Sequence, residues 1–562
     1  MQGGDAMRNA KFKKRLGGDT MKRTNTWKKI VSVLLTVVIC ITIVGCGSSS
    51  QSGSSSGDSE SNTVSTDGSG ETYKDEIHIA LNAAPPTLDL NNTTATVARQ
   101  VAKGSIFEGL VTLTDDYGYA PELAESIDTN DDYTEYVYHL REGVKFHNGQ
   151  EMKAEDVVAS LNHWLDCYQD ASDMVGGARF EAVDDYTVKI NPTKSAMFFN
   201  ELMAITSQGP IVFPASSLDS IDPETGLLTE YIGTGPYKFE EWAEDQYILL
   251  TKYDEYLPYG TQGELDGWSG YKEAYASKVY YDIVPDGATR VAGLQSGEYD
   301  FGMVLPNDNY DLFSSDEYTV YKDVTEQPGL IYNKKQGLAT NQTLRQAINT
   351  ALDMDQVMQA GYTSSDFYRL DSSYMFKEQA SWYCTEGSDN YNVADTDKAK
   401  ELLKEAGYNG ETFRIIVSSD YSTFYNAAIM VESQLEAIGM DVELIVSDWA
   451  TFLSNRADET AYDAFITSFD PVLTPTMFLP LSPTWAGWLD DEFIISGLDE
   501  INTATNMDDA VAKWAEVQKY CYDTYMPYSK FGDAFNYSVA GPNCKEVKYL
   551  MGPCAWNMKV VE

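Results

Sequence analysis

Histidine, cysteine and positive charge are the scarce commodities of this chain, with four His, seven Cys and 40 Lys or Arg against 86 Asp or Glu in 562 residues. His78, His139, His147 and His163 form no close-spaced ligand pattern, so neither a metal nor any other cofactor is expected. No C-x-x-C or H-E-x-x-H occurs, and the folded part has no G-x-S-x-G, which removes the motif case for a dithiol redox centre or a familiar hydrolase. The formal net charge of −46 repels phosphate backbones and anionic lipid, excluding a nucleic-acid partner. A solvated, soluble shell accounts for that acidity better than attraction of cationic solutes does. No apolar run is long enough to span a bilayer: Ile30 to Val44 falls short of the roughly 17–25 residues required. No internal repeat is visible.

That short run is informative for what flanks it. Lys22, Arg23, Lys28 and Lys29 precede it, and Ile43-Val44-Gly45-Cys46 closes it in a pattern that resembles a bacterial lipobox. Residues 21–45 are then a lipoprotein signal peptide, and Cys46 is the thiol that takes lipid. Residues 1–20 add no targeting element, so translation is expected to start at Met21. From Gly47 to Thr72, 16 of 26 residues are Ser or Gly, a composition unable to bury a core. Residues 46–72 therefore read as a tether with a reach of about 28 Å. The rest of the protein is expected outside the cytoplasm, lipid-anchored to the outer face of the cell membrane.

Beyond the tether, strand and helix signals alternate. Glu76 to Leu81 reads as a strand, Lys153 to Leu165 as an amphipathic helix, and Thr412–Val417, Thr423–Ile438 and Asp441–Val446 as a β-α-β unit with Gly439 as helix stop. Tyr462 to Thr467 is a further strand, and Lys398 to Ala406 a helix ended by Gly407. The interval from Asp166 to Trp268 carries short strands and Gly/Pro punctuation. The fold class is thus α/β with a parallel or mixed sheet and an extra mixed lobe. Of the cysteines beyond Cys46, Cys544 and Cys554 could close a short C-terminal loop, although spacing does not establish the pairing. Aromatics are abundant, with 38 Tyr and 10 Trp, a supply from which ligand walls are often built.

Several blocks, in order, resemble the family 5 solute-binding proteins of ABC importers, the oligopeptide and dipeptide type. They are Ile106-Phe107-Glu108-Gly109-Leu110-Val111, Pro121-Glu122-Leu123-Ala124-Glu125-Ser126, the long run from Leu140 to Trp164, Gly233-Thr234-Gly235-Pro236-Tyr237, Gly293 to Asp300, Leu344-Arg345-Gln346-Ala347-Ile348, and Val431 to Leu444. The resemblance spans nearly all of 73–562. It implies a two-lobed, periplasmic-binding-protein-like fold of type II, with the extra lobe in the N-terminal domain. Domain I would hold 73–304 with 533–562 returning to it, and domain II 305–532. It also implies a monomer that closes on a small peptide or other small solute and delivers it to permease subunits served by cytoplasmic ATPases.

The resemblance locates a ligand site. After Thr87-Leu88-Asp89, the stretch Thr93 to Thr96 matches extended backbone that pairs with a peptide ligand, with Thr94 where peptide members carry an acidic residue. Arg456 matches an arginine able to meet a ligand carboxylate. Peptide binders carry a Trp-Gly-Ala-Asp-like stretch whose aspartate pairs with the ligand's amine. Here the chain reads Thr467-Ser468-Phe469-Asp470-Pro471-Val472. Ungapped, Phe469 takes the aromatic position and Val472 the aspartate position; with a gap, Asp470 is the amine partner. Trp382, Tyr383, Trp485 and Trp488 flank these segments and either wall in a ligand or pack in the core. Two other classes remain open at this level: the same scaffold holding an oligosaccharide, glutathione-like molecule, haem or nickel chelate, and an extracellular hydrolase with a carboxylate pair. No catalytic residue is assigned, and the protein is read as a binder rather than an enzyme.

Overall fold

Alternation decides the first strand: Ile77, Ile79 and Leu81 are buried along Glu76–Leu81, while Glu76 faces solvent. The computed structural model describes residues 72–204 and 208–562. The upstream extension, signal peptide, Cys46 and nearly all of the tether lie outside the described residues. Glu76–Leu81 pairs in parallel with Lys278–Ile283 and with Phe301–Gly302. Tyr247–Lys252 and Tyr237–Ala243 extend this sheet antiparallel at the far edge. Its core gathers Ile79, Leu81, Val101, Tyr281, Phe301 and Trp556.

Two long strands link this lobe to a second one. Thr319–Tyr332 pairs through its first half with Asp533–Ala540, and through Gln327–Tyr332 with Ala464–Phe469. A β-bulge interrupts the pairing between Val324 and Glu326. Asp533–Ala540 in turn meets Phe301–Gly302 of the first lobe. The two strands are therefore paired crossovers in one continuous sheet.

The second lobe is built on a β-α-β unit. Thr412–Ser418 runs parallel to Asp441–Ser447 and to Ala464–Phe469. Helix Ser422–Ala437 joins the first two, burying Phe424, Ala427, Ala428, Val431 and Leu435 at helical spacing. Truncating one such leucine to alanine costs about 2–5 kcal/mol. Gly439, at φ +98°, lets the chain turn out of the helix and into the next strand, a backbone shape that strains residues with a Cβ.

A third core belongs to the extra lobe, a four-stranded antiparallel sheet in the order Ala124–Thr129, Tyr136–Leu140, Thr187–Ile190, Phe180–Asp184. Helix Ala154–Cys167 packs here through Val157, Leu161, Trp164 and Leu165. Its Asp156 carboxylate caps the first turn, accepting from the Lys153 amide at 3.0 Å. The extra lobe thus begins well before Asp166, where the sequence reading placed it. Its first strand is too exposed, with Glu125, Ser126, Asp128 and Thr129 outside, to announce a core.

The Gly233-Thr234-Gly235 block packs tightly against the chain at Ser105 and Ile106. A Cβ on Gly233 would lie 2.0 Å from the Ile106 carbonyl oxygen, and one on Gly235 2.1 Å from that of Ser105. Thr234 donates to Glu108 at 2.9 Å, and Glu108 and Glu122 share the buried ammonium of Lys272. Among the described residues, no helix is long and apolar enough to cross a membrane.

The lobes also touch outside the crossovers. Leu473 of the second lobe is buried in the first lobe's core, and Met197 and Phe198 of the extra lobe are buried in the second lobe's core.

Candidate functional site

Two chambers lie between the lobes and meet along one short segment. The inner one, about 380 Å³, has the crossover residues Asp323–Glu326, Asn536 and Ser538 as its floor. Helix Thr96–Ala102, Tyr117, Tyr549 and Met551 wall it on the first-lobe side. Tyr421, Phe424 and Asp470–Leu473 wall it on the other. The outer chamber, about 850 Å³, opens between the extra lobe (Tyr168, Asp170, Asp173, Lys194–Phe198) and the second lobe (Ser468–Val472, Phe478, Trp485, Asp499). Thr94, Asp470, Pro471 and Val472 line both chambers.

The bulge in the first crossover shapes the inner floor. In a regular strand residues three apart point to opposite faces. Here Asp323 pairs with Asn536 and Glu326 with Ala534, partners two apart, so the inserted residue brings both acids to the same face. The Tyr549 hydroxyl donates to Asp323 at 2.5 Å, and Tyr362 to Glu326 at 2.7 Å; Ser468 also donates to Glu326. Burial pushes the Asp323 carboxyl up to about 6, against the pull of the Tyr549 hydroxyl and the Arg99 guanidinium. Burial likewise raises Glu326, opposed by its two hydroxyl donors.

Asp470 closes the triangle from the second lobe. Its carboxylate is exposed into the cleft and has no hydrogen-bond donor among the described residues. Surrounding protein raises its pKa, and the facing Arg99 partly restores the charge. Arg99 is buried and loses some basicity to that burial; it donates to the Met551 carbonyl at 3.2 Å. Tyr117 reaches the chamber from a turn held by Asp116, which accepts from Thr114 at 2.6 Å and from the Gly118 amide at 3.2 Å. That turn puts Tyr117 at φ 64°, in the left-handed region. Among the described residues no three His, Cys, Asp or Glu converge as a metal site, so the three carboxylates are spread around the chamber.

The residues singled out from sequence divide into two groups. Thr94, Thr96, Phe469, Asp470 and Trp485 line the chambers. Thr96, however, is the first residue of helix Thr96–Ala102, so the extended edge expected over Thr93 to Thr96 stops at Ala95. Phe469 and Trp485 meet edge to face at 5.5 Å in the outer chamber wall.

Trp382, Arg456 and Trp488 line neither chamber. Trp382 packs on Phe198 at 5.3 Å, and its carbonyl accepts from the Trp514 indole at 3.0 Å, so it is core. Arg456 lies over the Trp485 ring at 5.0 Å and supports that wall from behind. Trp488, at φ 43°, stacks on Tyr462 with Lys335 over its ring. Val472 reaches both chambers, but its carbonyl is engaged by Gln379. Cys544 and Cys554 are not bridged: both are free thiols buried in the first lobe's core, and burial pushes each up to about 12.

Sequence reading missed Arg99, Tyr117, Asp323, Glu326 and Tyr549. The usable signal was acidic residues inside a strand pattern, Tyr321 to Gln327, where a buried sheet would otherwise carry apolar side chains.

Comparison with known proteins agrees with this architecture. The profile of bacterial extracellular solute-binding proteins, family 5 (middle region), matches residues 118–486. The "Probable peptide ABC transporter periplasmic-binding protein" of Sinorhizobium fredii is 28% identical over 459 residues, 78% of this chain and 85% of that one. The oligopeptide-binding protein AppA of Bacillus subtilis is 26% identical over 469 residues, 77% of this chain and 78% of its own. The solved structure of that AppA with a nonapeptide superposes with a TM-score of 0.67 at 19% identity, covering 88% of this chain and all of AppA's.

Proposed function

Because the chain belongs to the bacterial extracellular solute-binding proteins of family 5, we propose that it captures short peptides between its two lobes and delivers them to the permease of an ABC importer. One observation carries the peptide reading. Asp470 offers an ionisable, unpartnered carboxylate at the junction of the two chambers, where a ligand ammonium reaches it from either side. A peptide's α-amino group is the matching cation, and a charge-assisted hydrogen bond there fixes the ligand's direction. Of the two alignments for the amine anchor, Asp470 rather than Val472 is the chemically competent one. The relatives point the same way, since one is described as a probable peptide transporter component and another as oligopeptide-binding.

Capture then works by population shift. Only the closed arrangement lets a ligand touch both lobes at once, so ligand binding favours closure about the crossovers near residues 304 and 532. No covalent step is involved. The Cys46 anchor and the Ser/Gly tether hold the receptor at the outer membrane face, within reach of its permease.

Native mass spectrometry of residues 72–562, purified without denaturation, tests the reading. Released ligands of differing sequence but similar length are expected. A single non-peptide mass would overturn it.

A further inference from the structure

We propose that the inner chamber selects peptides whose first side chain is basic, seating a lysine- or arginine-type cation between Asp323 and Glu326. This deepens the peptide reading and rests on it.

Charge balance carries the argument. Three carboxylates, Asp323, Glu326 and Asp470, line the inner chamber, and Arg99 is the cation that lines it with them. A peptide ammonium at Asp470 adds a second positive charge and leaves one negative charge uncompensated. Among partly buried groups that imbalance is costly, and it is relieved either by a cation on the ligand or by a proton on the protein. The outer chamber offers no competing explanation for the inner excess, because its Asp170, Asp173 and Asp499 lie on the far side of the Thr94–Asp470 junction.

The geometry suits an organic cation. The acids are spread around the chamber instead of converging as a metal site would. Asp323 accepts from Tyr549 through Oδ2, and among the described residues its Oδ1 accepts from no donor. The Tyr117, Tyr421 and Tyr549 rings line the same space, and aromatic faces attract ammonium and guanidinium groups. A volume of about 380 Å³ admits a long side chain. The charged and titratable groups facing Asp323 are Arg99, Tyr117 and Tyr549; those facing Glu326 are Tyr362 and Asp470. Burial raises both acids, so a neutral side chain favours proton uptake by one of them on binding, whereas a basic side chain supplies the opposing charge itself.

Calorimetric titration with Arg-Ala-Ala, Leu-Ala-Ala and Glu-Ala-Ala, at pH 7 in two buffers of different ionisation heat, tests this. Arg-Ala-Ala is expected to bind at least about tenfold more tightly than Leu-Ala-Ala, with Glu-Ala-Ala weakest. Leu-Ala-Ala is expected to take up more protons on binding than Arg-Ala-Ala. Asp323→Asn and Glu326→Gln, each shown to be folded by thermal unfolding, should shrink the Arg/Leu affinity ratio to about threefold or less. Equal or tighter binding of Leu-Ala-Ala by the wild type overturns the inference and leaves the peptide reading intact. Failure of all three peptides, with a non-peptide ligand recovered from the native protein, removes the peptide reading itself.

Discussion

Replacing Asp470 by asparagine separates its role in binding from its cost to the fold. The carboxylate faces the cleft without a donor among the described residues, and surrounding protein already disfavours its charge. A hydrogen bond to a charged group is worth about 1.5–3 kcal/mol, so losing the charge should weaken a free-amine peptide by roughly 10- to 150-fold. Asparagine keeps the shape and one carbonyl acceptor, which places the expected loss nearer the lower figure. The assay is calorimetry with a peptide and its N-acetylated form on both proteins. Acetylation removes the ligand's charge, so it should be costly for the wild type and nearly neutral for Asp470→Asn. The ligand-free variant should melt no lower than wild type at pH 7. The sign follows from the raised pKa: the folded state holds the Asp470 proton to higher pH than the unfolded state, so ionisation costs stability as pH rises, and asparagine is spared that cost. If acetylation costs the same in both proteins, Asp470 is not the amine anchor.

Three further outcomes are expected. Glu201 in the extra lobe has a buried Oε2 with no hydrogen-bond partner among the described residues, and burial raises its carboxyl from 4.5 to about 7. Its folded pKa exceeds the unfolded one, so stability falls as pH rises from about 4.5 through 7; Glu201→Gln should match wild type near pH 4.5 and gain up to about 3 kcal/mol by pH 8, read from urea unfolding. A constant difference across that range would contradict it. Lys272→Met strips the shared ammonium from Glu108 and Glu122 and should cost about 3–5 kcal/mol, seen as a Tm lower by several degrees; an unchanged Tm would mean the cluster is not needed for stability. Cys46→Ala should move the protein from the membrane fraction to the medium, and continued membrane retention would refute the lipid anchor.

Much of the fold was legible because local chemistry wrote it. The i, i+2 alternation of Ile77, Ile79 and Leu81 needs no partner to declare a half-buried strand, and the 3.6-residue spacing from Phe424 to Leu435 declares a helix in the same way. The ordered family blocks extended that local reading to a two-lobed architecture. The strand edge at Thr93 was misjudged by one helix start, since nothing local distinguishes Thr96 opening a helix from Thr96 ending a strand. The extra lobe's leading strand, Ala124–Thr129, announces no core because Glu125, Ser126, Asp128 and Thr129 all lie exposed.

The site was less legible, because burial is a property of assembly. Trp382, Trp485 and Trp488 are alike in sequence, yet only Trp485 faces a chamber, and Trp382 is sealed behind Phe198. Asp323 and Glu326 look like two ordinary acids in an acidic chain until a bulge turns both onto one face beneath Arg99. Cys544 and Cys554 have a spacing that permits a bridge, and packing instead leaves both as buried thiols. By itself, then, the sequence determined these strands and helices and the family, each of which depends on neighbours within a few turns of chain. Tertiary structure alone decided which carboxylates lose water and face a common space, because that depends on two lobes meeting across crossovers separated by some 200 residues.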